Sequence, residues 1–296
     1  MSTSAFELQI RLAGVRALLL DLDGVLVLKG ALIPGAAESL AALEERAIPY
    51  AIGTNTSIFS RATLSRDLRV AGLAVGPERI VSAASAAAGY CRRHFRDEPL
   101  YVLGSPDGLV EFDGLRLLSH AEAAEPTAVA AAVVIGDAAE EFRPRNMQNA
   151  FRLLQGGARF VAMHKNRWWL TPAGVMLDSG AYVAALEFGM QRRALVTGKP
   201  SRVFFGEGLR LLDAMLGAGS GAAGPAARLA PAEVAMVGDD LWNDIRGAQK
   251  AGLRGVFVRS GKHGDVELTR AASERGGGPP DAVAPSIVEV VAALTG

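Results

Sequence analysis

Apolar positions in this chain come in short blocks, and several blocks stop at a polar cluster. Val15 to Leu20 runs into Asp21, Pro49 to Gly53 into Thr54, Ala194 to Thr197 into Gly198-Lys199, and Val234 to Val237 into Gly238-Asp239. Near-continuous apolar runs bounded by turn residues read as strands buried on both faces. Between them lie alanine- and leucine-rich stretches with helical spacing: Pro34 to Arg46, Ser57 to Ala71, Val203 to Leu216 and Asp244 to Ala251. Pro34 suits a first helical turn, where no N–H is needed. With a further strand at Gly255 to Val258, the alternation is that of βα units around a parallel sheet, an α/β fold.

A middle block carries its own strands at Leu100 to Leu103, Ala128 to Ile135, Ala158 to Met163 and Arg167 to Thr171, with a helix at Met147 to Leu154. That is material for a second, small α/β domain of about 100 residues. The expected division is residues 1–82 and 182–296 for the sheet of βα units and 83–181 for the inserted domain. Gly217 to Pro231 and Gly276 to Pro280 read as loops. The former contains Gly219-Ser220-Gly221-Ala222-Ala223-Gly224, a formal dinucleotide fingerprint. It follows a helical pattern instead of a strand, so the context for cradling phosphate is missing.

Composition narrows the function. Half of the 296 residues are apolar and 21% are charged, as in globular proteins. Lysine plus arginine equal aspartate plus glutamate at 31 each, and no basic excess favours nucleic acid or an anionic membrane surface. Cys91 is the single cysteine, which excludes an intrachain disulfide and a cysteine zinc cluster. The run Ala128 to Ile135 is far short of the roughly 20 residues that span a bilayer. Met1 to Leu12 has no signal-peptide core, so a cytoplasmic protein is expected.

The candidate chemistry sits where strands end, which is where open α/β sheets build their sites. Asp21 and Asp23 flank Leu22. An aspartate ionised at neutral pH can attack phosphorus, and a second carboxylate can move protons, provided a cation offsets the charge repulsion. An acidic turn in a solvated loop would read the same way. Gly53-Thr54-Asn55-Thr56-Ser57 offers a hydroxyl and backbone N–H groups at a helix entry, suited either to phosphate or to ordinary N-capping. Lys199 could neutralise a phosphoryl group or be a solvated surface lysine, and no Walker pattern surrounds it. Gly238-Asp239-Asp240-Leu241-Trp242-Asn243-Asp244 supplies the carboxylate oxygens magnesium prefers, although Asp244 also suits a helix N-terminus.

Taken in order, Asp21-Leu22-Asp23-Gly24, Thr54, Lys199 and Asp239 to Asp244 resemble the haloacid dehalogenase superfamily of phosphohydrolases. The resemblance implies a Rossmann-like parallel-sheet core and a phosphatase working through an aspartyl-phosphate. In it Asp21 is the nucleophile, Asp23 the general acid/base, and Thr54, Asn55 and Thr56 the phosphate-binding loop, with Lys199 as the stabilising cation. Mg2+ would be held by Asp21, the carbonyl of Asp23 and Asp239, with Asp244 in support. The insert between the second and third motifs is similar to the α/β C2-type cap of the type IIA group. Asn146 to Leu154, Lys165 to Trp169, Gly174 to Asp178 and Gly261-Lys262 resemble the branch of the phospholysine phosphohistidine inorganic pyrophosphate phosphatases. Some members of that branch carry serine at the position of Asp23, and this chain keeps the carboxylate.

Substrate choice in that group is made by the cap, and His164, Lys165, Asn166 and Arg167 follow a strand with anion-binding donors. The implied partner is a small phosphorylated molecule: a monoester, a phosphoramidate or pyrophosphate. A homodimer through the cap also follows from the resemblance, and no exposed apolar stripe in the sequence speaks for it. A phosphotransferase or phosphomutase on the same fold is the alternative, as is a catalytically silent phosphate-binding regulator. Asp21 and Thr54 stand too close together for the helical cap that mutases usually carry there.

Overall fold

The structure is a computed structural model that describes residues 4–171, 174–219, 228–274 and 278–296. The chain packs into two units, one from Met1–Thr54, Ser65–Val81 and Lys199–Gly296, the other from Asn55–Leu64 and Ser82–Gly198.

The first unit is built on a six-stranded sheet. Its order is Ala282–Ala284, Arg254–Val258, Val234–Gly238, Ala17–Asp21, Tyr50–Thr54, Ile80–Ser82. The strand Ala17–Asp21 pairs in parallel with both Tyr50–Thr54 and Val234–Gly238, and Leu20 lies level with Ile52 on one side and Val237 on the other. Ala17 to Leu20 are wholly buried, as a strand covered on both faces must be. Each such leucine contributes roughly 1.5–3 kcal/mol by leaving water. Phe204 and Phe205, on the helix Arg202–Gly219, are buried as well, and Phe204 packs over Gly53 together with Leu19.

This strand order has a consequence for function. From Ala17–Asp21 the chain steps to one side through Tyr50–Thr54 and Ile80–Ser82. It later returns to the other side through Val234–Gly238, Arg254–Val258 and Ala282–Ala284. The direction of winding reverses at the strand that ends in Asp21. A crevice at the carboxyl ends of strands opens at such a switch point.

The second unit has a four-stranded parallel sheet in the order Leu195–Val196, Arg159–Ala162, Ala132–Ile135, Leu100–Leu103. One face packs on Ala150, Leu153 and Leu154 of the helix Pro144–Gln155 and on Val183 and Leu186 of Ser179–Met190. The other face packs on the helix Ala83–His94, whose alanines and Cys91 make its buried side. Burial pushes the Cys91 thiol up to about 12, so it is an inert core residue. An antiparallel ribbon, Trp168–Thr171 with Gly174–Leu177, completes the unit.

Four expectations change. The strand at 194–197 pairs with Arg159–Ala162, and the helix Ser179–Met190 runs across position 181/182, so residues 182–198 pack with the second unit instead of the first. The helix expected from Ser57 starts at Arg61, because Asp107 takes the Ser60 N–H at 2.8 Å and Glu111 takes the Arg61 N–H at 2.7 Å. Those long-range carboxylates fix the helix start. The helix expected at Asp244–Ala251 is preceded by a π-helical turn, Leu241–Arg246, and becomes α-helical only over Gly247–Ala251. Gly217–Gly219 continue the long helix instead of starting a loop. Residues 220–227, with most of the glycine fingerprint, and 275–277 lie outside the described residues.

Candidate active site

The site is assembled by three strand ends and one helix entry of the first unit. Asp21 is the last residue of its strand, level with Gly53 on the neighbouring strand, and Thr54 lies one residue beyond. On the other side Val234–Gly238 delivers Asp239 to the same edge. Lys199 precedes the helix Arg202–Gly219. Asp21, Thr54, Lys199, Asp239 and Asp244 are all buried.

Lys199 is the hub. Its Nζ lies 2.6 Å from Asp21 Oδ1 and 2.7 Å from Asp244 Oδ1, and it donates to the Gly53 carbonyl at 3.1 Å. Burial alone would lower the lysine pKa, but Asp21 and Asp244 outweigh it and hold the ammonium above its ordinary range. The Leu22 N–H also donates to Asp21 Oδ1, at 2.8 Å, which fixes the plane of the carboxylate. Asp244 Oδ2 accepts the Asp240 N–H at 3.1 Å, closing the turn after the strand.

Asp21, Asp239 and Asp244 each bring one carboxylate oxygen to within 4.8 Å of the others. Three buried carboxylates face one ammonium. Burial raises all three: Asp21 to about 6, with Asp239 adding repulsion, Asp239 to about 6, with Asp244 adding repulsion, and Asp244 to about 8, with Asp21 adding repulsion. A group of hard oxygen donors with uncompensated charge is what a small divalent cation such as magnesium fits. Room for these groups depends on absent side chains. Gly24 has φ +83°, and a Cβ there, or at Gly261, would run into the Asp239 carboxylate.

The remaining predicted residues divide. Asp23, unlike Asp21, is exposed; its close surroundings push its carboxyl upward while Lys199 pulls it down. Asp240 turns inward instead. Its Oδ1 accepts the N–H groups of Trp242 and Asn243, both at 3.0 Å, and its Oδ2 pairs with Lys262 Nζ at 2.9 Å. Burial would raise it, but these donors bring it down to about 2, so it is a permanently ionised structural cap.

Asn55 and Thr56 belong to the second unit and are partly buried, and six residues separate Thr54 from the helix beginning at Arg61. The loop after Thr54 is therefore not a helix N-terminus.

Of the four residues expected to meet substrate in the second unit, His164 is buried, with Ser57 Oγ 3.0 Å from Nε2 and Ser179 Oγ 3.4 Å from Nδ1. Burial lowers its pKa, and Asp178 and Asp137 only partly oppose that. Lys165 pairs with Glu187 at 2.6 Å. Asn166 uses its carbonyl to accept the Gly180 N–H, and Arg167 is exposed. Sequence reasoning assigned no role to Ser260 or to the Lys262 side chain. The signal was present: the strand Arg254–Val258 also ends at this edge, with a small polar residue and a glycine behind it.

Comparison with known proteins gives a consistent result. A family model described as haloacid dehalogenase-like hydrolase matches residues 18–116, and a second, HAD-hydrolase-like model matches 196–290. The chain is 34% identical over 266 residues to haloacid dehalogenase-like hydrolase domain-containing protein 2 of Rattus norvegicus, covering 90% of each. It is 34% identical over 259 residues to the human phospholysine phosphohistidine inorganic pyrophosphate phosphatase, covering 85% of this chain and 86% of that one. The structure of a p-nitrophenyl phosphatase from Archaeoglobus fulgidus superposes with a TM-score of 0.80 at 26% identity, over 94% of this chain and 99% of the other. Among the described residues no helix is long and apolar enough to cross a membrane.

Proposed function

The chain belongs to the haloacid dehalogenase-like hydrolase family and is a phosphohydrolase, and we propose that it hydrolyses a small phosphorylated molecule through a phosphorylated Asp21 with the help of magnesium. The observation that carries this reading is the Lys199 ammonium bridging Asp21 and Asp244, with Asp239 alongside, at the switch point of the sheet.

Each residue then has a separable task. Asp21, raised only to about 6, is an anion at neutral pH, and its oxygen attacks phosphorus while the bond to the leaving oxygen breaks. Asp23, exposed and with a raised pKa, gives its proton to that leaving oxygen. It then takes a proton from the water that attacks the phosphoryl-Asp21, releasing inorganic phosphate and restoring the carboxylate. Thr54, with Asn55 and Thr56, binds the phosphoryl oxygens, and Lys199 neutralises charge on them while holding Asp21 in place. The carboxylates of Asp21 and Asp239 and the carbonyl of Asp23 would hold magnesium, with Asp244 fixing Lys199. When bound, the ion offsets the charge of the phosphoryl oxygens.

The second unit serves as the cap in this reading, and Arg167 and Lys165 supply its anion-binding donors. It is also the surface through which a homodimer would form. The test is hydrolysis of p-nitrophenyl phosphate by purified protein with and without magnesium. Magnesium-dependent release of nitrophenol, lost in Asp21→Asn, is expected. Undiminished release by Asp21→Asn, or equal release in chelator, would overturn the reading.

A further inference from the structure

We propose that Ser260-Gly261-Lys262-His263 is a positioning clamp that holds the two acidic loops of the site in register, so that Asp239 and the Asp23–Gly24 turn address one cation. The proposal rests on the magnesium reading above and adds residues to it.

Four consecutive residues contact both loops. Ser260 Oγ donates to the Gly24 carbonyl at 2.6 Å. Gly261 lies against the Asp239 carboxylate so closely that a Cβ would overlap it, and its Cα would be 3.0 Å from a Cβ at Gly24. The Lys262 N–H donates to Asp239 Oδ2 at 2.5 Å, while its Nζ pairs with Asp240 Oδ2 at 2.9 Å. His263 Nδ1 accepts the Leu241 N–H at 3.1 Å. The stretch therefore touches Gly24 on one loop and Asp239, Asp240 and Leu241 on the other.

The chemistry of each contact says what it does. A carboxylate that accepts a backbone N–H on one oxygen cannot rotate freely, so Lys262 fixes the direction in which Asp239 presents its other oxygen. The Gly24 carbonyl follows directly on the Asp23 carbonyl, which is assigned as a cation ligand. Ser260 anchors the peptide next to it and so sets the tilt of that ligand. Gly24 has φ +83°, a conformation open to glycine, and no side chain of its own helps to hold that peptide. Groups of this kind, which orient ligands without touching the ion, typically govern metal affinity by about 10–100-fold.

The experiment is magnesium titration by calorimetry on the full chain, with circular dichroism and melting of the metal-free proteins alongside. Ser260→Ala keeps the backbone path and removes one hydrogen bond. It is expected to bind magnesium about 10-fold more weakly, with Ser260→Thr restoring most of the affinity, because the hydroxyl returns. Gly261→Ala should weaken binding further, and if it fails to fold, the Ser260 pair still decides. Wild-type binding with equal affinity in Ser260→Ala would overturn the clamp and leave the phosphatase reading standing. Absence of magnesium binding by the wild type would overturn the magnesium reading and the clamp with it. Equal loss in Ser260→Ala and Ser260→Thr would also overturn it, since bulk rather than the hydroxyl would then be at work.

Discussion

Two buried polar clusters in this protein both contain aspartates and differ in how the carboxylates are met. In the second unit, Ser57, His164 and Ser179 lie among Asp137 and Asp178, and the contacts run largely to hydroxyls and backbone N–H groups: Ser57 Oγ accepts the Asp137 N–H at 2.9 Å and meets His164 Nε2 at 3.0 Å. Asp178 Oδ1 accepts the Ser179 N–H at 2.6 Å and lies 3.9 Å from His164, outside hydrogen-bonding reach. In the first unit, three carboxylates converge on one lysine, and their pKa values are driven up to about 6, 6 and 8. The serine–histidine–aspartate group meets its polar atoms with hydroxyls and backbone N–H groups, and its two carboxylates do not converge on one point with a third. The carboxylate group has charge left over and calls for a ligand. Burial of polar residues does not by itself mark a reaction site; the convergence of several buried carboxylates with strongly shifted pKa values points to one.

The sharpest way to break the contrast is at the reacting group. Asp21→Asn keeps the shape and is expected to cost about 10⁴-fold or more in kcat, read with p-nitrophenyl phosphate. Next is Lys199→Met, which leaves Asp21 and Asp244 facing each other without their cation. It should lower kcat by about 10²–10³-fold and destabilise the fold by about 3–5 kcal/mol, read by denaturant unfolding. A change below 1 kcal/mol would mean that the lysine does not bear the charge of the cluster.

The pH dependence follows from the sign of the shifts. Asp21, Asp239 and Asp244 hold their protons more tightly folded than unfolded. Their contribution to stability is fully present below the unfolded value of 3.8 and is lost as pH rises toward about 8. Metal-free protein should therefore lose stability from these groups steadily as pH rises from about 5 to about 8. Magnesium competes with those protons, so its thermal upshift should be larger at pH 8 than at pH 5, read by differential scanning fluorimetry. Equal upshifts would show that Asp21 and Asp239 are not its ligands. The smallest effect belongs to the satisfied cluster. His164→Asn should cost about 1–3 kcal/mol through the hydroxyl of Ser57 left without its partner, and leave the magnesium upshift unchanged.

What the sequence disclosed was set by local chemistry. Apolar runs ending in Asp21, Thr54 and Asp239 mark three strand ends, and the parallel register makes those ends level, so the alignment of these strand ends is legible in the sequence. What it concealed depended on contacts distant in the chain. Leu195–Val196 looks like any short parallel strand, and only its pairing with Arg159–Ala162 places it in the smaller sheet. The start of the helix at Arg61 is fixed by Asp107 and Glu111, more than forty residues away, which no capping rule applied to Ser57 could foresee. His164, with Lys165, Asn166 and Arg167, reads in the sequence as an anion-binding donor. Its ring is buried against Ser57 and Ser179 instead, because a neutral imidazole can satisfy two hydroxyls in a place where a cation would be costly. Ser260–His263 follow a strand end like the others, but the contact of Ser260 with Gly24 joins positions far apart in the chain and no local pattern marks it.

The central claim is that Asp21 itself carries the phosphoryl group. Rapid acid quenching of the protein during turnover of p-nitrophenyl phosphate with magnesium, followed by peptide mapping in a mass spectrometer, tests it directly. The account predicts one hydroxylamine-sensitive phosphoryl group on the peptide containing Asp21, absent from Asp21→Asn. Phosphate release at full rate with the label on another residue, or with none on the protein, would contradict it.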